Sequence, residues 1–219
     1  MSVNPLVYQT VHADNAIGTI SIGHGDAELR FASQVARNAQ ENDLVYALRY
    51  RAYRAEGYIP ENPAARFFDD YDFESANRSF LTYCNGQLIG SVRACVSSPK
   101  LGEHLPAAEI YEQELAAEVG FDKVIVESNK FVFEPGFRQA GGLAARLILV
   151  RNVLNYAVSL EADVIVTAVR KSHARLYKSF GFRQISEAKR YPLLDFDTIL
   201  MCCDDLGVAA QFIESKLRS

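Results

Sequence analysis

Apolar and polar positions along the chain follow distinct rhythms, and each predicts an element. Two alternating runs, SFLTYC (79–84) and QLIGSVRACV (87–96), flank Asn85-Gly86, the dipeptide best suited to a two-residue type I′ turn, and predict a β-hairpin. From Leu143 onward, Leu147, Val150, Leu154 and Ala157 recur at 4-3-4-3 spacing, the signature of one apolar helical stripe, which ends near Leu160. Lys123–Phe133 begins with a continuously apolar stretch, and Asp163–Val169 is rich in β-branched residues. Both read as strands, the first a buried central one.

Weaker signals fill the remainder. Ala27–Val35 suits a strand, and Asn42 or Asp43 suits the cap of a helix through Leu44, Leu48 and Ala52 to about Glu56, before Pro60 and Pro63 interrupt regular structure. A short helix is expected over Ala107–Val119 and another over Ser172–Phe180, stopped by Gly181. Strands near Gln184–Tyr191 and Phe196–Cys203 precede a last helix with Leu206, Ala209, Ala210, Ile213 and Leu217 on one face. Residues 1–26 lack sustained periodicity and contain Gly18, Gly23 and Gly25, so a flexible N-terminal arm or lid is expected there, followed by a single domain over 27–219. Hairpins first and β-α-β-α later predict an α/β fold, a mixed central sheet with helices on both faces.

Composition narrows the class. With 49% hydrophobic and 23% charged residues the 219-residue chain is expected to fold around one sizeable core. No apolar run approaches the roughly 20 residues of a membrane span, and the start lacks a basic segment followed by an apolar one, so a cytoplasmic address is expected. Cys84, Cys95, Cys202 and Cys203 form no C-x-x-C pair and have no histidine at metal spacing; buried reduced thiols and no metal are expected.

Charge is uneven. Against a net charge of −4, the stretch from Pro135 to Ser186 carries Arg138, Arg146, Arg151, Arg170, Lys171, Arg175, Lys178 and Arg183 but only Glu161 and Asp163 as acids. Such a face is either a solvated surface or a match for phosphate groups or an acidic partner. No aromatic-interleaved basic motif accompanies it, so nucleic acid is not expected.

Candidate chemistry starts at Arg138 and the segment Gln139-Ala140-Gly141-Gly142-Leu143-Ala144, between the strand ending near Phe133 and the long helix. Glycines let backbone N–H groups converge on an anion, and the helix start adds the positive end of its dipole, which suits a pyrophosphate or a phosphopantetheine phosphate. A plain loop of small residues reads the same way.

The segment resembles the Q/R-x-x-G-x-G/A phosphate loop of GNAT acyltransferases, met by Gln139, Gly142 and Ala144; a reading offset to Arg138 meets only Gly141. HARLYKSFGF (173–182) is similar to that family's element ending in a tyrosine and a Gly-Phe. Arg51, the cluster Asp69-Asp70-Tyr71-Asp72, Arg93 and Glu127-Ser-Asn-Lys-Phe131 look like the order seen in acyl-homoserine-lactone synthases and the related N-acyl amino acid synthases. The absence of tryptophan, and E-S-N-K-F in place of E-S-R-F, turn the resemblance toward the N-acyl amino acid synthases and away from S-adenosylmethionine.

The resemblance implies a GNAT-like acyl-CoA N-acyltransferase fold and transfer of a fatty acyl group from acyl carrier protein, or acyl-CoA, to the amine of an amino acid. No tightly bound cofactor is implied; the acyl-phosphopantetheine thioester is a substrate. Glu127 would accept the amine proton, or else be a structural carboxylate paired to Arg51 or Arg93. Arg51, Arg93, Asp70 and Asp72 would order the site wall or grip the amino acid. Tyr177 would protonate the leaving thiolate or serve as a packed aromatic. Asn129, Phe131 and Phe133 would pair with pantetheine amides through the strand backbone, their rings lining an acyl tunnel or the core. Competing readings are an autoinducer synthase, an acetyl-CoA-dependent acetyltransferase, and a non-catalytic acyl-pantetheine-binding module.

Overall fold

A computed structural model describes residues 16–24, 27–102, 104–137, 142–191, 194 and 196–217. Nine strands, β1 (Ala16–His24), β2 (Ala27–Val35), β3 (Arg78–Cys84), β4 (Gln87–Ser97), β5 (Ile125–Phe133), β6 (Val164–Val169), β7 (Arg183–Gln184), β8 (Lys189–Arg190) and β9 (Asp197–Cys203), run in the order β1-β2-β3-β4-β5-β6-β9-β7, with β8 also on β9. Only β5 and β6 pair parallel, which requires a long crossover. The helix α3 (Gly142–Ser159) supplies it.

The predicted hairpin forms as β3–β4. Asn85 (φ 49°) and Gly86 (φ 81°) both adopt the left-handed conformation that a type I′ turn demands. Of the stretch 1–26 expected to be an arm, residues 1–15, 25 and 26 lie outside the described residues, and Ala16–His24 is an edge strand paired antiparallel to β2. Its glycine-rich alternation is too weak to announce a strand, and the partner strand supplies the order.

The helix α1 (Ala39–Ala55) begins before Asn42 and Asp43. Asn38 caps it by accepting from the Glu41 N–H at 2.9 Å, and Glu41 reaches back to the Arg37 N–H at 2.7 Å. On α3, Leu147, Leu154 and Ala157 are buried as the stripe predicts, but Leu143 is 56% exposed. Ala145, Ile148, Leu149, Asn152 and Val153 are buried too, because α3 is held between the sheet and α5 (Leu206–Leu217).

Each face of the sheet has its own core. Val126, Ile165 and Val169 pack with α3, α5 and the short α4 (Ala174–Ser179). Cys95, Ile125, Val166 and Leu200 pack on the opposite face against α2 (Ala108–Glu118). Leu48 of α1 covers Val132 on that second side. All four cysteines are buried free thiols, and burial pushes Cys95 up to about 12.

Candidate active site

The sheet opens at its parallel pair. β5 pairs with β6 only through Ile125, Val126 and Glu127, then stays with β4 as far as Phe133 while β6 turns to β9. From Ser128 onward, one edge of β5 has no ladder partner among the described residues, apart from the Thr167 hydroxyl donating to the Ser128 carbonyl at 2.8 Å. Backbone donors and acceptors at Asn129–Phe133 are therefore available to an extended amide chain laid into the fork.

β5 also carries a bulge beside the fork. Ser91 faces Val132 and Arg93 faces Asn129, so three steps on β5 oppose two on β4, and Lys130 takes up the excess with φ 50°. The extra residue shifts the alternation. Phe131 and Phe133 pack on the α3 face, whereas Asn129, Lys130 and Val132 all fall on the α1/α2 face. Without it, alternation would send the lysine into the apolar core.

On that second face lies a buried charge cluster. The Arg93 Nε donates to Asn129 Oδ1 at 2.8 Å, and the Asn129 Nδ2 donates to Glu127 Oε1 at 3.0 Å. The other Glu127 oxygen accepts from the Ala107 N–H at 2.8 Å. Arg93 holds Asp69 through both guanidinium nitrogens and stands 3.1 Å from Asp72, which Arg49 grips with both oxygens at 2.8 and 2.9 Å. Arg49 also donates to Ser79 Oγ at 2.9 Å, and the Lys130 Nζ is an ion pair with Asp69 at 3.1 Å. Glu127 and Arg49 are wholly buried and Arg93 nearly so.

Such burial sets the proton affinities. Burial lifts Glu127 to about 7, opposed by the Ala107 N–H, Asn129, Arg93 and Lys130. Burial acts upward on Asp69 too, but the Arg93 hydrogen bond and the neighbouring cations outweigh it and hold that carboxyl at about 2. Burial drives the Lys130 ammonium below its ordinary value. A polar cleft of about 550 Å³, lined by Arg37, Asn42, Asp72, Arg78 and Arg93 among others, opens onto the cluster.

Glu127, Arg93, Asp72 and Asn129 thus come together as a unit, but three catalytic candidates, Arg51, Asp70 and Tyr177, stay outside it. Arg51 is a half-exposed partner of Glu134, with N–O distances of 2.9 and 2.5 Å. Residues two apart on a helix point about 200° apart, so the buried face of α1 that carries Val45, Leu48 and Tyr53 takes Arg49 instead. Asp70 is exposed at the start of a single 3₁₀ turn over Asp70–Asp72, and Asp69 and Asp72 turn inward. Sequence reasoning leaves Arg49 unnamed, while Asp69 and Lys130 stand inside its motifs without being singled out. The apolar spacing around Arg49 could have found it; nothing in the sequence marks the bulge.

Tyr177 lies in the α3-side core, its ring edge-on to Phe182 at 5.4 Å, and burial pushes its hydroxyl up to about 12. With Ser128, Val153, Leu154, Ile165 and Cys203 it lines a narrow apolar cavity of about 10 Å³ behind the fork. Phe131 and Phe133 stack edge-on at 5.4 Å, and the Arg146 guanidinium sits over Phe133 at 5.7 Å. Of the glycine-rich segment, Arg138, Gln139, Ala140 and Gly141 lie outside the described residues. Gly142, Leu143 and Ala144 form the first turn of α3, and among the described residues a side chain at Gly142 would meet the tip of Arg146 at 3.8 Å and nothing nearer.

The wholly buried Glu127 carboxyl thus lies on β5 where its pairing with β6 ends. Comparison with solved structures agrees on the fold. FeeM, an N-acyl amino acid synthase from uncultured soil microbes, superposes with TM-score 0.68 at 22% identity, covering 84% of this chain and 98% of that one. The acyl-homoserine-lactone synthase LasI gives TM-score 0.63 at 14% identity (81% and 94% covered). The CoA-dependent synthase MesI gives 0.61 at 16% (82% and 89%). The architecture is that of the GNAT-like acyltransferases. A search of curated proteins finds no match. The family model of N-acyl amino acid synthase FeeM matches residues 44–204, which takes in the fork, the bulge and every member of the buried cluster, and the chain belongs to that family of acyltransferases.

Proposed function

We propose that this enzyme transfers a fatty acyl group from an acyl carrier protein thioester, or acyl-CoA, to the amino group of an amino acid. The observation that carries the reading is Glu127, wholly buried at the fork with a pKa of about 7. The thioester lies along the free edge of β5, with its pantetheine amides paired to the backbone of Asn129, Phe131 and Phe133. Its phosphate sits at the start of α3, served by the segment 138–144. The fatty chain enters the apolar cavity by displacing the side chains around Val153 and Tyr177, which makes Tyr177 a wall of that channel. A phenol held at about 12 is a poor acid for a thiolate.

The acceptor's ammonium loses a proton to Glu127. Both carboxylate oxygens already accept one hydrogen bond and the group has no exposed surface, so a water molecule carries the proton. The amine nitrogen then bonds to the thioester carbon, the C–S bond breaks, and the thiolate leaves to take up a proton. The Arg93–Asn129 bridge keeps Glu127 in place.

Exposed Arg146 on α3 and exposed Arg175 and Lys178 on α4 suit the acidic surface of a carrier protein. The test is direct. Purified enzyme with decanoyl carrier protein or decanoyl-CoA and the twenty common amino acids should release thiol and form N-decanoyl amino acids by mass spectrometry. Thiol release without an N-acyl product, or with acetyl-CoA alone, would overturn the reading.

A further inference from the structure

Among the described residues, the least well satisfied charged group of the buried cluster is the ammonium of Lys130. Its side chain is almost wholly buried, yet its ammonium makes no well-formed hydrogen bond among the described residues. Among the described residues the one carboxylate in contact, Asp69, is already held by both terminal guanidinium nitrogens of Arg93, and Asp72 is taken by Arg49. Three cations, Arg49, Arg93 and Lys130, therefore face two committed carboxylates. The third acid, Glu127, spends its oxygens on Ala107 and Asn129. An ammonium has three donors, and leaving them unmet in a buried site is costly unless a ligand meets them.

The backbone points the same way. A lysine at φ 50° is strained, and the strain serves to turn this side chain out of the apolar core and into the cluster, next to the fork. Phe67 closes the far side, its ring 4.6 Å from the ammonium, which leaves the nitrogen directed along the cluster.

We propose that the Lys130 ammonium anchors the carboxylate of the acceptor, so that the enzyme takes amino acids with a free carboxylate and rejects plain amines and amino acid amides. The inference rests on acyl transfer to an amino acid as set out above, and it adds a residue and a selection rule. With the carboxylate at Lys130, the amino group of the same molecule is directed toward Glu127 and the fork, since Lys130 and Glu127 are three residues apart on one face of β5. An acceptor carboxylate also gives the ammonium's open donors a charged partner, which an uncharged carboxamide does not.

The experiment compares an equimolar mixture of the twenty common amino acids with the matching mixture of their carboxamides, using decanoyl-CoA and decanoyl carrier protein as donors. Wild-type enzyme should favour the acids by on the order of 10² in kcat/KM, the scale of losing one partner of a buried charged pair. Lys130→Met should raise KM for the acids by about the same factor with kcat nearly unchanged and abolish the preference, while Lys130→Arg should restore most of it. Because the wild-type comparison needs no variant, a Met variant that fails to fold leaves the test intact. Equal use of acids and amides by the wild type, or an intact preference in folded Lys130→Met, would overturn the anchor while leaving acyl transfer standing. No N-acylation of either mixture would instead remove the amino acid reading itself.

Discussion

Replacing Glu127 with glutamine should make stability and activity move in opposite directions with pH. The carboxyl titrates near 4.5 in an unfolded chain and at about 7 in the folded one. Because the folded pKa is raised, the native state binds the extra proton between those values. The stabilisation from the protonated form is complete below about 4.5 and is lost as pH climbs through 7. At 1.36 kcal/mol per unit the loss is about 3 kcal/mol, an order-of-magnitude figure for a fully buried group. Glutamine never ionises, so that slope vanishes. It keeps one oxygen acceptor for either Ala107 or Asn129 but faces the other donor with an amide NH₂, a mismatch of about 1–3 kcal/mol. At pH 8 the variant should therefore be as stable as the wild type or slightly more so, and at pH 5 clearly less. Turnover should behave the other way. Wild-type kcat/KM rises as Glu127 ionises through about 7, and the variant should lose that limb and about 10² to 10⁴ in rate. Denaturant melts at pH 5, 6, 7 and 8 beside thiol-release kinetics at the same values read both. A variant with a wild-type pH slope of stability, or one retaining the kinetic limb near 7, would refute both the raised proton affinity and its role.

Arg49→Ala leaves buried Asp72 with Arg93 as its remaining cation and Ser79 without its guanidinium donor, and should cost up to about 3–5 kcal/mol in a denaturant melt, whereas Arg51→Ala, which removes a half-exposed partner of Glu134, should cost under about 1 kcal/mol and leave turnover within a few-fold. Gly142→Val places a side chain where, among the described residues, only the tip of Arg146 lies nearby, so melting should barely change while the KM for pantetheine donors rises several-fold; an unchanged KM would remove the start of α3 from donor binding. Reversing Arg146, Arg175 and Lys178 to glutamate should raise KM for acyl carrier protein at least about tenfold more than for acyl-CoA, with the gap shrinking at higher salt. Equal effects on both donors would refute the carrier-docking surface.

Much of the frame was legible because short-range chemistry writes it directly. Asn85-Gly86 dictates its turn wherever it stands between alternating runs, and the Leu147–Ala157 stripe can be satisfied only by a helix against a sheet. The first strand was not legible, since Ala16–His24 owes its extension to β2 and not to its own pattern. The basic count over 135–186 also needed the structure to sort it. Arg151 pairs with Glu214 at 3.5 Å with its side chain 14% exposed, which withdraws it from any docking surface, while Arg146 and Lys178 stay in solvent.

The site was legible where function and local pattern coincide, and lost where they part. Glu127 follows an apolar strand segment, and that position alone predicts a desolvated carboxyl; Arg93 lies on an alternating strand whose inward phase can be counted. Arg49 against Arg51, and Asp69 against Asp70, are choices of one or two residues in phase. Phase on a helix is readable only if the buried neighbours Val45, Leu48 and Tyr53 are used as the ruler, while phase in a single 3₁₀ turn has no ruler at all. Lys130 is the extreme case: strict alternation assigns it to the wrong face, and a single inserted residue, held at a strained φ, reverses that assignment. The residues with the least local signal are those on which the buried charge balance depends, because the cluster assembles from α1, the 3₁₀ turn, β4 and β5 only after the chain has folded.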